Sequence, residues 1–451
     1  MSIEIINDLS LRLVAEDFSN DHAAAANNGG PTKTARAMAI IHLAAHDAYA
    51  QVTAAFAAKL SGLPPKPVGS ASDDAAGTVA LLAAGFRAAE RLYPDFAATI
   101  ATLRPMHSGS DPVLVAFGVV VGDAWVNSRI GDGSANPQED TNYDNAPGRH
   151  RPDPFNPNQK TLGRTWGEVR PFVITSVTAD APLGPPPALT GPGYATDYDQ
   201  VYENGSSDLT ERDENARHMA AVGIFWAYDG ANKLGTPPRL YNQVVREIPA
   251  LKDEILSHPK RIRLLTAINA AMADAGIAAW HWKYEYDLWR PVLGIREAAE
   301  GFGPTGQGDG NSQRNQPGNP FWRPLGAPRS NPFPSPAAGA PGANFTPNFP
   351  AYPSGHATFG TACFETAAKL LGKKPKDLSV TFASDEFNGA TADNTGTLRP
   401  RWEQTFTLKE VIEQNSVSRV FLGVHWEFDA TAGEKVGRAI ALKAAAAFAF
   451  A

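Results

Sequence analysis

Apolar residues recur every three or four positions through most of the chain, and no stretch of any length alternates strictly. Thr32–Leu60 carries small and apolar residues on most faces, which predicts a helix buried between neighbours. Ser72–Tyr93 and Asp111–Ile130 predict two more. Asp111 before Pro112 is a start signal, and Gly131–Gly133 a stop. Thr210 with Asp213 resembles a capping box and starts a helix to about Tyr228. Another begins near Pro237. Pro259 opens a strongly periodic helix to about Trp289, with Arg290 at its end because Pro291 follows. Ser354 caps a helix to about Leu371. Thr407 and Glu410 form a second capping box and open the helix that carries Arg419; Gly423 breaks it, and a last helix starts near Glu427.

Between these lie Asn136–Tyr198 and Gly301–Tyr352, rich in Pro, Gly and Asn and without period. Arg164–Ser176 has room for one short strand, and Leu378–Phe406 reads as irregular. The fold class is all-α with long Pro- and Gly-rich loops. Gly301–Tyr352 could be a domain linker, but its flanks are chemically complementary, so the preferred reading folds it over a shared site.

Composition narrows the partners. The 451 residues are 43% hydrophobic and 19% charged, with a net charge of −7, which argues against a nucleic-acid partner. The single cysteine, Cys363, excludes an intramolecular disulfide and reads as a buried small residue. No run of about 18 uninterrupted apolar residues predicts a membrane span. The first eighteen residues place acids among apolar positions and lack the basic start of a secretory signal. The expectation is a soluble, cytoplasmic protein, with leaderless export left open. His42 and His46, four apart and next to Asp47, could pair on a metal; the plainer reading is polar groups at a helix contact.

The chemistry concentrates in three stretches. Lys283 and Arg290, seven apart, would share one helix face. Pro353–His356 offers a small-residue helix start with a hydroxyl, a free amide and an imidazole, which is an anion-binding geometry. Ser418–Asp429 offers Arg419, His425 and, four residues on, Asp429. Singly, each has an ordinary reading: a capping serine, a solvated cationic stripe, a core histidine. Together they supply three fixed cations, two imidazoles, a hydroxyl and a glycine amide, a set that suits a tetrahedral oxyanion such as phosphate or vanadate.

Lys283-x6-Arg290-Pro291, then Pro353-Ser354-Gly355-His356, then Ser418-Arg419-x5-His425-x3-Asp429 resembles the signature shared by vanadium-dependent haloperoxidases and type 2 phosphatidic-acid or acid phosphatases. Phe225–Ile248 also resembles the chloroperoxidase branch, so the similarity extends from about Tyr198. The resemblance implies two packed four-helix bundles, divided here as an N-terminal part, 1–200, and a site-bearing part, 201–451. In a haloperoxidase, His425 would be the sole protein ligand to the vanadium of vanadate. Lys283, Arg290, Arg419, Ser354 and the Gly355 amide would hold its oxygens. His356 would be the acid–base residue, Lys283 would polarise the reacting oxygen, and Asp429 would fix the His425 tautomer. In a phosphatase, His425 would attack phosphorus and His356 would protonate the leaving alcohol.

Trp280, three before Lys283, and Phe349, five before Ser354, stand where the fungal-type chloroperoxidases line a halide site, although aromatic core is their plainer reading. The wide spacing of the motifs points the same way. The expected function is therefore oxidation of bromide, with chloride as the further candidate that the related group suggests, by hydrogen peroxide to hypohalous acid, which then meets small organic acceptors. A soluble acid phosphatase is the alternative, and a non-catalytic oxyanion-binding scaffold the minor one.

Overall fold

The computed structural model describes residues 2–19, 26–104, 111–139, 142–208, 213–332 and 344–450. Two helical bundles carry the chain. The first joins α1 (Ser2–Asp17), α2 (Pro31–Thr53), α3 (Asp74–Leu92) and α4 (Pro112–Ser128). Three helices then lead across: α5 (Pro192–Asn204), α6 (Glu214–Phe225) and α7 (Pro237–Arg246). The second bundle joins α8 (His258–Tyr286), α9 (Gly355–Leu370), α10 (Leu408–Phe421) and α11 (Glu427–Ala447). By length and composition α8 could cross a bilayer, but 94% of its most apolar window is buried, as in a core helix. It packs on α2 in one bundle and on α9 and α11 in the other, so one hydrophobic core runs from Ile3 to Phe448.

Several expectations are corrected. Helix α2 stops at Thr53, not Leu60, because Ala54 takes a left-handed conformation. The carboxylate of Asp47 then accepts the amides of Lys59 and Leu60, closing the chain back on α2. Asp47 also accepts from Trp125 and bonds His46, while His42 bonds the Met38 carbonyl and Asn7. These polar groups serve helix contacts, as the plainer reading held. Arg164–Ser176 holds a short helical turn, Trp166–Glu168, and no strand among its described residues. The stretch Asn136–Tyr198, expected to lack regular structure, ends in the helix α5, which begins at Pro192. Thr210 lies outside the described residues; Asp213 caps α6 by accepting from Ala216. The stretch Leu378–Phe406 contains strands after all. β1 (Ser379–Ala383) pairs antiparallel with β2 (Glu403–Thr407), with Ser379 opposite Thr407. Val380, Phe382 and Phe406 point inward, and Phe382 and Phe406 meet Phe225 edge-on. Five residues of alternation are enough for a hairpin that packs on an existing core.

The close approach of α9 and α11 sets the position of the site. Gly433 and Gly437 lie one turn apart on α11 and face the first turn of α9. A Cβ at Gly437 would stand 2.7 Å from the Thr358 carbonyl oxygen, and one at Gly433 would stand 2.6 Å from that of Ser354. Small residues let the backbones approach; any side chain would push α9 away. Gly437→Val is expected to lower the unfolding free energy by roughly 1–3 kcal/mol, seen as a lower urea midpoint at unchanged slope. An unchanged midpoint would show that the two helices are free to separate here.

Candidate active site

Helix α8 ends at Tyr286, where Asp287 turns left-handed and donates its amide to the Lys283 carbonyl. Lys283 and Arg290 therefore do not share a helix face. Arg290 sits in extended backbone just before a one-and-a-half-turn helix, Pro291–Arg296, and returns toward Lys283 across the turn. Convergence comes from a chain reversal that heptad spacing does not encode.

Lys283 is fully buried. Its ammonium donates to the carbonyls of Pro350 at 2.7 Å, Ala351 at 3.0 Å and Pro353 at 2.6 Å. Burial and then Arg290 pull its pKa well below that of an ordinary lysine. Three acceptors call for three N–H donors, however, and only the protonated form has them. The segment 344–353 thus folds over the site and turns its carbonyls inward, as the complementarity of its flanks implied. Arg290 donates from Nε to the Phe349 carbonyl at 2.9 Å and from Nη1 to the Val424 carbonyl at 2.8 Å.

His425 lies between α10 and α11, held by the Leu422–Val424 turn. Gly423 has a φ of 67°, and a Cβ there would stand 2.2 Å from the Gly205 carbonyl oxygen, so only glycine fits. The ring is fixed at both nitrogens. Nδ1 lies 2.9 Å from Asp429 Oδ2, which also accepts the Trp426 amide at 3.0 Å. The acid holds the proton on Nδ1 and leaves the Nε2 lone pair outward, where Arg290 Nη1 meets it at 2.8 Å. Burial, Arg290 and Lys283 push the His425 pKa well below that of a free imidazole, so the ring stays neutral. Burial also raises Asp429 above the usual carboxylate range, against the pull of Lys283.

Ser354 is the N-cap of α9, accepting from the Ala357 amide, and its own amide donates to the Asp429 carbonyl at 2.8 Å. This bond ties the start of α9 to the start of α11. His356, in the first turn, lies 2.6 Å from the Ala227 carbonyl through Nε2, which must carry the hydrogen. Nδ1 keeps the lone pair. Burial and then Arg419 lower its pKa to about 3. Arg419 makes a bidentate pair with Asp229, both contacts at 2.9 Å. Asp229 and the Ala227 carbonyl escape sequence reasoning. The available signal is indirect: a buried arginine needs a carboxylate, and Phe225–Gly230 holds one acid in an apolar run.

These groups meet a cavity of about 310 Å³. Gly355, His356, Arg419 and His425 line its charged end, and Trp280, Phe349 and Phe359 are among its apolar walls. Trp280 and Phe349 lie 4.8 Å apart, centroid to centroid. The Trp280 indole donates to the Leu162 carbonyl at 3.1 Å, so the long loop 142–191 closes one side. Of the cationic groups at this site, Arg290 Nη2 and Arg419 Nε are buried donors without a hydrogen-bond partner among the described residues. Unpaired guanidinium N–H groups beside a neutral imidazole and a helix start fit an oxyanion.

Fold and site together define a double helical bundle with a buried cluster of cations and imidazoles at the second bundle. Residues 263–450 match the family described as the VCPO second helical-bundle domain. Over 289 residues the chain is 34% identical to vanadium chloroperoxidase of Curvularia inaequalis; the match covers 56% of this chain and 44% of that relative. The fold is that of the vanadium haloperoxidases. It is similar to the crystal structure of the first bacterial vanadium-dependent iodoperoxidase, with a TM-score of 0.72 at 20% identity, covering 98% of this chain and 95% of that one. A holo-type bacterial vanadium-dependent chloroperoxidase gives 0.66 at 16% identity, with 93% and 92% covered.

Two outcomes follow from the buried charges. Asp229→Ala would strand the Arg419 charge and is expected to destabilise the fold by roughly 3–5 kcal/mol, measured by urea unfolding. His42 and His356, with pKa values of about 4 and about 3, bind no proton where the unfolded chain does, below about 6.5. These two rings should therefore make stability fall as the pH drops from about 6.5 toward 4. Ring ¹⁵N NMR should show neither titrating between pH 8 and 5.

Proposed function

We propose that this chain is a vanadate-dependent haloperoxidase: halide, hydrogen peroxide and a proton give hypohalous acid and water. The observation that carries the reading is the His425 ring, its Nε2 lone pair held outward by Asp429 between two buried guanidiniums that each keep an unpaired N–H. The relative from Curvularia inaequalis, a vanadium chloroperoxidase, supports it over 56% of this chain. Bound vanadate would supply a Lewis-acidic centre that activates peroxide toward attack by halide.

The chain's own residues do the rest. His425 would bind the metal through Nε2, in place of its contact with Arg290. Arg290 and Arg419 would donate to the oxygens of the anion through the N–H groups now unpaired, and the Ser354 hydroxyl and Gly355 amide would add donors at the helix start. Lys283 would add positive charge; its hydrogens hold the segment Pro350–Pro353, so donating to the anion means drawing one from a carbonyl. His356, neutral and with Nδ1 unprotonated, would take a proton from peroxide as it enters. Trp280 and Phe349 would give the halide a dry wall beside the reacting oxygen.

The test is vanadate-loaded protein with bromide, peroxide and a dye that records halogenation; bromide oxidation is expected. Bound vanadate without halogenation, together with strong p-nitrophenyl phosphate hydrolysis, would reject the reading in favour of the phosphatase. His425→Ala should weaken vanadate retention by more than the roughly 10–100-fold that loss of an outer partner costs. His356→Ala should cut turnover by about 10²–10⁴ while changing retention far less.

A further inference from the structure

The cavity of about 310 Å³ that holds Gly355, His356, Arg419 and His425 has more apolar wall than a halide site uses. Trp280 stands 4.8 Å from Phe349 and 6.1 Å from Phe359, centroid to centroid, so these three rings form one aromatic wall. Among the described residues, the same cavity is also lined by Phe18, Pro31, Leu162, Pro237, Phe345 and Pro347. They come from separate parts of the chain. Phe18 follows α1, Pro31 starts α2, Leu162 lies in the loop 142–191, Pro237 starts α7, and Phe345 and Pro347 belong to the segment folded over the site. Phe18, Leu162 and Phe345 are half-buried, and Lys160, which also lines the cavity, is exposed, so the cavity reaches solvent.

Halide and peroxide do not account for these six residues. One dry wall at Trp280 and Phe349 serves a halide, and peroxide is too polar to be held by apolar side chains. The charges along the walls are already taken: Asp229 pairs with Arg419, and Lys160 with Glu139 at 3.1 Å. Asn348 spends its amide nitrogen on the Gln159 carbonyl, and its oxygen lies 3.1 Å from His150. Leu162 is fixed through its backbone. Its amide donates to the Asn348 carbonyl at 3.1 Å, and its carbonyl accepts from the Trp280 indole at 3.1 Å and the Tyr284 hydroxyl at 2.7 Å. The wall is therefore built before any ligand arrives. Small organic ligands occupy mainly apolar sites of about 300–1,000 Å³, and this cavity falls at the lower end of that range.

We propose that these apolar walls are an acceptor site: they bind an uncharged, electron-rich aromatic compound, which is halogenated there before hypohalous acid escapes. The proposal rests on the haloperoxidase reading. Aromatic walls take a flat ring, stacked or edge-on. Walls without a free charge select an uncharged molecule. The chemistry asks for an electron-rich one. The bromine of hypobromous acid accepts an electron pair from the ring, the C–Br bond forms as the O–Br bond breaks, and the proton lost from that ring carbon joins the released hydroxide as water. A ring held in the cavity where the acid forms meets it at a high effective concentration.

The first test uses vanadate-free protein and α-naphthol, whose fluorescence reports binding. Saturable binding is expected. Leu162→Trp, which fills the space, should weaken it about ten-fold, with urea unfolding showing that the variant is folded. Should that variant not fold, Phe345→Ala removes one wall instead and should weaken binding about three-fold. Absence of saturable binding, or equal binding by the folded variant, overturns the proposal. The second test uses vanadate-loaded enzyme with bromide and peroxide, and compares the ratio of ortho- to para-brominated naphthol with that given by added hypobromous acid. The enzyme's ratio should depart from the free reagent's and return toward it in the variant. A ratio equal to the free reagent's also overturns the proposal, even with naphthol bound, because the acceptor then meets the acid in solution. If the wild type oxidises no halide, the haloperoxidase reading fails, and the binding result still decides whether the walls hold an aromatic ring.

Discussion

Three cations held out of water around one imidazole are the constraint on which the rest of the structure depends. Lys283, Arg290 and Arg419 are each at most 1% exposed. At an effective dielectric near 20, two like charges 4 Å apart repel by about 4 kcal/mol. Each must therefore find its own counterweight. Arg419 takes the Asp229 carboxylate, Lys283 takes three carbonyls, and Arg290 takes two carbonyls and the lone pair of His425. The same field keeps His425 and His356 neutral, which leaves each ring with a bare nitrogen lone pair. Anion affinity and imidazole basicity are two results of one arrangement.

That arrangement explains features that look unrelated. The carbonyls of Phe349, Pro350, Ala351 and Pro353 turn inward because they solvate buried ammonium and guanidinium groups. The Ser354 amide bonds the Asp429 carbonyl, so the helix start that presents Gly355 and His356 is registered against the acid that orients His425. Gly433 and Gly437 let α9 and α11 come close enough for this bond to form. A glycine stripe on a helix in one half of the sequence thereby controls the distance between two imidazoles set by motifs about seventy residues apart.

How much of this can be read from the sequence follows from range. Helices with local signals are legible: Asp111 before Pro112, Ser354 before α9, and Thr407 with Glu410 all cap the helices they announce. The motif cations and imidazoles are legible because chemistry marks them. Partners that are backbone atoms are not, since any residue type can supply a carbonyl; Ala227, Pro350 and Val424 carry no mark. Asp229 is equally silent until Arg419 is known to be buried. The β1–β2 hairpin falls below what five-residue alternation can signal amid irregular sequence. Ser2–Asp17 form a helix whose exposed positions carry Asp8 and Arg12, too few turns to stand out by period from a polar segment.

The proton inventory bears on which reaction the cradle favours. A phosphatase needs an acid to protonate a departing alkoxide, and a peroxidase needs a base to accept a proton from peroxide. His356 donates its one N–H to the Ala227 carbonyl and keeps a bare Nδ1, and with a pKa of about 3 it is rarely a cation at neutral pH. Seating an oxyanion adds negative charge and raises that value, yet the Ala227 carbonyl still holds the hydrogen on the far nitrogen. The geometry thus presents a base toward the centre before it presents an acid. On this ground the arrangement favours taking a proton from peroxide over giving one to an alcohol.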